Sequence, residues 1–388
     1  MAGAGGCEMM LLEHHAKELL AARGLPVPDG TLLRRGDALP YVDAGVIKAQ
    51  VPVGGRGKAG GIRLARDRDR LRADIDGVLG MHIRGHEVQA VRIEGLVDFA
   101  AEAYLSFTLD AGAALVTVMM SPHGGIEVED EATREDLAQE QVAFEPSAMA
   151  AAVERLSASM PVALRAPMRA AGLGLVPVFF EHEALLLEIN PLFVRADGSW
   201  VIGDTKLAID ENALARRPQL TALIADNADL YPEAALKLEQ GFDYVELDRD
   251  GDIGLVTTGA GLSMQLVDEL LARGHRPFNF CDIRTGQFRG DPARLIQVMR
   301  WIAAGPNIRS VLINFFAGHT HLGEIARLLL LALDAVPELN APITARMIGN
   351  GLDEARDIIA AAGNPIAIET DLERAIDLAL ARAETADA

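Results

Sequence analysis

Cysteine is nearly absent from this sequence: Cys7 and Cys281 are the two among 388 residues. That excludes a disulfide framework and a thiolate metal cluster, and the expected setting is the reducing cytoplasm. Basic residues are also scarce, 36 against 56 acidic ones, for a formal net charge of −20. A phosphate backbone is bound by clustered Lys and Arg, so a broad nucleic-acid surface is excluded. A small phosphate held by a few backbone N–H groups at a helix start is not. No apolar run reaches the roughly 18 residues of a membrane span. No basic stretch leads into an apolar one near Met1, so no secretory leader is expected, and residues 1–8 read as a short disordered lead. What is present is an ordinary globular balance, 50% hydrophobic and 24% charged, in a chain long enough for two or three domains.

Leu11, Leu12, His15, Leu19 and Leu20 recur at helical spacing, and Gly24 stops that helix before Pro26 and Pro28. A strand over Val42–Val51 runs into the glycine-rich Gly54–Gly61. Val88–Met120 reads as strand-rich with one short helix near Phe99, and Arg134–Leu173 as mostly helical. Ala184–Lys206 predicts a hairpin about the turn Ala196-Asp197-Gly198. After about Gly241 the pattern changes. Strands at Ile253–Thr257, Val311–Phe316, Ile343–Met347 and Ile366–Ile368 alternate with helices at Ser263–Arg273, Pro292–Ala304, Glu324–Ala335, Asp353–Ala362 and Asp371–Arg382. That grammar predicts a parallel, doubly wound sheet. The expected architecture is therefore an α+β module followed by an α/β one, joined through Asp226–Asp243, without repeats or low-complexity tracts.

Several residues stand out for their chemistry. Gly54-Gly55-Arg56-Gly57-Lys58-Ala59-Gly60-Gly61 lets the backbone approach an anion without Cβ clashes, with Arg56 and Lys58 supplying charge. The same segment also suits a flexible hairpin tip, and it lacks the P-loop spacing. Lys48, six residues earlier, is either a solvated strand residue or a partner for phosphates. In the hairpin, Glu188 and Asn190 share one strand face. If the turn is Ala196-Asp197-Gly198, position i pairs with 394 − i and Asn190 lies opposite Asp204. Two oxygen ligands meeting there suit Mg²⁺; the alternative is a polar cross-strand pair on a wet face. Glu94 and Glu102, taken alone, are surface acids. Two further loops, Thr257–Met264 and Phe316–Gly323, each lie between a strand end and a helix start, where a doubly wound sheet places its ligand crevice.

Taken together in order and spacing, "GGRGKAGG", "GGIEVED" (124–130), "LEINPL" followed by "GDTK", and "TTGAGLSM" resemble the succinyl-CoA synthetase (succinate–CoA ligase) β-subunit family across nearly the whole chain. The resemblance implies an ATP-grasp domain over residues 1–235 and a flavodoxin-like CoA-ligase domain over 241–388. It implies nucleotide contacts (ATP or GTP) at Lys48, Gly55, Arg56, Gly57, Glu94 and Glu102, and magnesium ligands at Asn190 and Asp204. Glu188 matches the acid facing the phosphorylated histidine of a partner α subunit, which also holds most of the CoA site. The implied reaction phosphorylates a carboxylate, which CoA then converts to the thioester, with the phosphohistidine carrying phosphate to or from the nucleotide.

Departures from the family gather at the substrate end. Thr258 stands where the family has Asn, Ala317-Gly318-His319-Thr320-His321 replaces a glycine-glycine-apolar loop, and "IRTGQFRGD" replaces a glycine triplet near Asp282. Side chains at Thr258, His319, Thr320 and His321 would add donors for a hydroxylated or larger acid such as malate or citrate. Gly318 keeps a backbone N–H for the substrate, and Arg346 keeps the family's arginine for a carboxylate. The alternatives are drift within a succinate enzyme, a carboxylate–amine ligase of grasp type, and a non-catalytic paralogue that binds an α subunit. The second leaves the flavodoxin-like half unexplained. The third is opposed by the intact Lys48, Glu188, Asn190 and Asp204.

Overall fold

The run Ala184–Val194 is so apolar that a strand with neighbours on both edges suits it best, and it lies between Ala101–Asp110 and Thr205–Asp210. The structure is a computed structural model that describes residues 8–39, 41–125, 136–284, 288, 290–318, 320–363 and 366–385. It divides between Leu223 and Ile224 into two compact units.

In the first unit a seven-stranded antiparallel sheet runs in the order Glu8–Leu11, Thr205–Asp210, Ala184–Val194, Ala101–Asp110, Leu115–Ser121, Ala138–Ala143, with Trp200–Ile202 extending the hairpin arm. Helices Pro146–Ser159 and Val162–Glu181 pack on it. The second of these, 20 residues, is long and apolar enough by length and composition to cross a membrane. Here its stripe of Leu164, Met168, Ala171, Leu175 and Phe179 is buried. A smaller antiparallel sheet, Gly30–Arg34, Ala90–Glu94, Gly45–Gln50, Ile62–Ala65, is backed by helix Arg68–Val78.

The second unit is a parallel sheet in the order Ile253–Thr257, Ser310–Ala317, Ile343–Gly349, Ala367–Glu369. Asn279–Asp282 flanks the first of these strands. Its Asn279 side chain donates to Leu255 O at 2.8 Å and accepts from Leu255 N at 2.9 Å, where ladder bonds would otherwise run. Counted from Ile253 onward, the order is 2-1-3-4-5, that of flavodoxin-like sheets, and strand Asp243–Glu246 pairs antiparallel with Asn279–Asp282. One face buries helices Ala260–Ala272 and Leu372–Thr385, the other Ala293–Ala303, Leu322–Asp334 and Leu352–Ala361. The doubly wound expectation is met.

Three local expectations differ, and the joining segment gains an element. No helix forms near Phe99; residues 95–100 are irregular and link the small sheet to the large one. Ala138–Ala143 is an edge strand rather than helix, with burial alternating every second residue against Leu115–Ser121. The joining segment contains helix Pro232–Gln240, closed by Gly241 at φ +70. Glu8 begins a strand paired with Asp210, while residues 1–7 lie outside the described residues.

Asn279→Leu should leave the N–H and C=O of Leu255 without partners. A loss of about 2–4 kcal/mol is expected in denaturant unfolding. Amide exchange should accelerate at Leu255 and stay unchanged in the strands of the first unit.

Candidate functional site

The hairpin folds in the register that its turn dictates. Glu188 pairs with Lys206, Ile189 with Thr205, Leu192 with Ile202 and Phe193 with Val201, each pair summing to 394. Gly198 adopts φ +83 and its N–H donates to Arg195 O at 3.0 Å. Asn190 N donates to Asp204 O at 3.1 Å, so the two residues face each other as expected. A Cβ on Gly203 would stand 2.5 Å from the Phe193 ring and 2.8 Å from Pro191 O, so only glycine lets the two arms close here.

These arms form one wall of a cleft of about 790 Å³ in the first unit. Lys48, Gly54, Gly55, Arg56, Gly57 and Lys58 line it, as do Glu94, Glu188, Asn190, Asp204 and Lys206. The glycine-rich segment closes on itself as a folded turn. Gly61 N donates to Arg56 O at 2.9 Å, Gly60 N to Gly57 O at 3.0 Å and Ala59 N to Gly55 O at 3.1 Å. Gly55 and Gly60 take φ of +81 and +76, which glycine adopts freely. At the other end the wall is apolar. Leu64, Leu96 and Phe99 are exposed there, and Phe99 stacks on Phe193 with ring centroids 4.5 Å apart.

The polar end is held by buried ions. Lys48 Nζ lies 2.8 Å from Glu94 Oε2 and donates to Glu13 Oε1 at 2.8 Å and Gly203 O at 2.6 Å. Arg56 donates through Nη1 to Glu13 Oε2 at 2.7 Å, and its Nη2 forks onto both Asp204 oxygens at 2.6 and 2.7 Å. Lys17, fully buried, donates to Glu94 Oε1 at 2.5 Å and Gly203 O at 2.7 Å. Burial alone would raise the Glu13 and Glu94 carboxyls. The neighbouring lysines, with Arg56 at Glu13, overcome it and hold both below the usual carboxylate range. Burial would lower Lys48, and the charges of Glu13, Asp204 and Glu94 carry it above its ordinary value. Burial pushes the Asp204 carboxyl up, against the pull of Arg56, Lys48 and Lys17, and the Arg56 fork favours its ionised form.

Of the remaining expected residues, Glu188 Oε1 accepts from Lys206 Nζ at 2.6 Å, with Tyr104 OH 3.4 Å from its other oxygen. Glu102 does not line the cleft; its Oε2 approaches Gly125, whose N–H donates to Asn190 Oδ1 at 2.5 Å. Asn190 keeps a second lone pair, and with Asp204 offers the hard oxygen donors that Mg²⁺ takes. Residues 126–130 of the "GGIEVED" motif lie outside the described residues. Glu13, Lys17, Arg92 and Lys206 were not anticipated. The signal available for the first two was the i, i+4 spacing of Glu13 and Lys17 beside the apolar stripe of helix Glu13–Ala22.

In the second unit, Thr258 and Gly318 follow the two strands between which the strand order reverses, the crevice position of such sheets. Thr258 is turned inward: its Oγ1 accepts from Phe316 N at 3.1 Å. His321 caps helix Leu322–Asp334, accepting from Gly323 N at 3.3 Å, and packs where a Cβ on Gly351 would be. Thr258 is thus buried and does not point out as the donor expected of it, whereas His321 is exposed with one ring nitrogen committed to the cap. Gly318 is exposed and Thr320 half-buried; His319 and most of the "IRTGQFRGD" loop lie outside the described residues. Arg346 donates to Asn314 Oδ1 at 3.1 Å and Thr370 O at 3.0 Å, both neutral oxygens, so neither bond neutralises its charge.

An ATP-grasp domain model matches residues 10–194 and a CoA-ligase model residues 256–380. The class is thus a grasp-type domain followed by a CoA-ligase domain. A protein from Chloroflexus aurantiacus named succinate–CoA ligase [ADP-forming] subunit beta is 36% identical, covering 91% of this chain and 93% of its own. One of the same name from Halobacterium salinarum is 34% identical over 98% of this chain and 100% of its own. The chain belongs to the succinate–CoA ligase β-subunit family. In fold it is similar to ATP citrate lyase from Methanothrix soehngenii in complex with citrate and coenzyme A. That match has a TM-score of 0.77 at 18% identity, covering 96% of this chain and 100% of that one.

His14, on the same first helix, offers a pH test of the buried network. Arg92 always donates, so His14 Nδ1, 2.6 Å away, must accept. Burial first, then Arg92, lower this imidazole from 6.5 to about 4. Between those values the unfolded chain binds the extra proton, so stability falls as pH drops through the window. His14→Gln should flatten the loss of stability between pH 7 and 5; denaturant midpoints at both pH values, compared with wild type, check it.

Proposed function

We propose that the chain is the nucleotide-binding β subunit of an NDP-forming acid–CoA ligase. The reaction is ATP, a dicarboxylate and CoA to acyl-CoA, ADP and phosphate. The observation that carries the reading is the cleft of the first unit, where Lys48, Arg56, Asn190 and Asp204 converge beside an apolar wall. Leu96, Phe99 and their neighbours suit the base. Lys48, Arg56 and the glycine-rich turn suit the phosphates, with Gly55 and Gly57 allowing close backbone approach and Glu94 behind Lys48, while Glu102 stands beside Gly125 on the Asn190 side. Asn190 and Asp204 hold Mg²⁺, which when bound neutralises charge on the transferring phosphoryl group. With little covalent work to do, these side chains act by in-line placement and charge. Relatives named as ADP-forming favour ATP over GTP.

A chain of this family needs an α subunit, and there we place the phosphohistidine and most of the CoA site. Glu188, anchored by Lys206, faces that histidine. The acid sits in the second unit, its carboxylates on Arg346 and on backbone N–H groups near Gly318 and the start of helix Leu322–Asp334. A succinate-like acid is favoured over malate or citrate, because Thr258 spends its hydroxyl inside the fold, although the capping imidazole of His321 stays half exposed. With Thr320 half-buried, the outward polar residues left for a hydroxylated acid are few among the described residues. The two cysteines support a cytoplasmic site.

Co-expression with the cognate α subunit, followed by ADP release in the presence of CoA, tests the reading against succinate, malate and citrate. Succinate should turn over fastest. A stable complex that turns over none of the three would remove it. Lys48→Ala should cost about 10²-fold or more in kcat. Asp204→Asn should raise the Mg²⁺ concentration needed for half-maximal rate, and chelation of Mg²⁺ should stop turnover.

A further inference from the structure

Glu13 lies outside every motif that carries the functional reading, yet both its oxygens are committed. Oε2 accepts from Arg56 Nη1 at 2.7 Å; Oε1 accepts from Lys48 Nζ and lies 2.8 Å from Lys17 Nζ. The carboxylate is buried behind the cleft wall formed by the two cleft-lining cations. Arg56 is consequently gripped along one edge. Its Nη1 rests on Glu13 and on Ala49 O at 3.1 Å, while Nη2 rests on Asp204. A cation that takes over Asp204 therefore frees only Nη2, and Nη1 stays in place. Lys48 is held more fully, with Glu13, Gly203 O and Glu94 fixing Nζ, so it meets the nucleotide as a placed charge.

We propose that Glu13 is a positioning residue for the phosphate-binding pair Lys48 and Arg56. It presents both cations to the nucleotide, and it lets Arg56 pass Nη2 from Asp204 to a phosphate oxygen without leaving its anchor. The inference rests on reading the cleft as a nucleotide site. Its sign separates it from a plain charge effect. Three carboxylates, Glu13, Glu94 and Asp204, are joined here to four cations, Lys17, Lys48, Arg56 and Arg92. If Glu13 acted only through its charge, removing it would strengthen the pull on phosphates. If it acts by holding two donors in place, removing it weakens binding.

The test is calorimetric titration of the full chain, co-purified with its α subunit, with ADP in the presence and absence of Mg²⁺. Glu13→Gln should weaken ADP binding about tenfold. It should raise the nucleotide KM by a similar factor and leave the KM values for CoA and the acid within about twofold. Glu13→Asp, which keeps the charge, should recover part of the loss. Glu13→Gln with Lys17→Met removes one charge of each sign from the cluster. It carries the same expectation if the single variant does not fold. ADP binding that is unchanged or tighter overturns the proposal, and so does an equal loss across all three substrates with a lower Tm. Wild type that binds no ADP removes the nucleotide reading itself, whereas normal wild-type binding with an unaffected Glu13→Gln removes only the role of Glu13.

Discussion

One carboxylate, Glu13, ties together four parts of the first unit: its own helix through Lys17, the small sheet through Lys48, the glycine-rich turn through Arg56 and, through that guanidinium, the hairpin at Asp204. Buried charges cost several kcal/mol each when left alone, so they persist only where every partner is present. That demand couples the parts. The glycine-rich turn cannot lift away without leaving a buried carboxylate half satisfied. Nor can the hairpin lift from the first helix and the small sheet without stripping Lys17 and Lys48 of Gly203 O.

The same network fixes what the cleft presents. Lys48 and Arg56 are held by acids and carbonyl oxygens, so they meet a ligand as fixed positive charges at the cleft wall. The apolar end has no such network. Leu64, Leu96 and Phe99 are exposed, and the irregular stretch 95–100 that carries two of them links the sheets. A cleft that is apolar at one end and cationic at the other matches a molecule with a flat base and a phosphate chain.

In the second unit the constraint is of another kind. A parallel sheet opens its crevice where the strand order reverses, and the side chains there divide between building the loops and meeting a ligand. Thr258 and His321 build: one ties two strand ends together, the other caps a helix. Arg346 is hydrogen-bonded to neutral oxygens, with the charge of Asp371 nearby. The polar loop that suggested a hydroxylated acid is thus partly structural.

Local pattern alone determined much of this. The hairpin register, the meeting of Asn190 with Asp204 and the alternation behind the doubly wound sheet all depend on turn geometry and short-range periodicity. Those are fixed within a few residues of chain. Only the tertiary structure decided which charges share a buried cluster. Arg56 and Asp204 are 148 residues apart, and Lys17 and Gly203 are 186 apart. Glu13 and Lys17 offer no signal in sequence beyond their i, i+4 spacing, and Glu94 taken alone is a surface acid. Whether such a residue is solvated or buried depends on what the rest of the chain packs against it. The same holds for Thr258 and His321, whose chemistry was plain from their type. What they bond was not, because the Phe316 N–H of a neighbouring strand claimed Thr258 and the Gly323 N–H of the helix it caps claimed one nitrogen of His321.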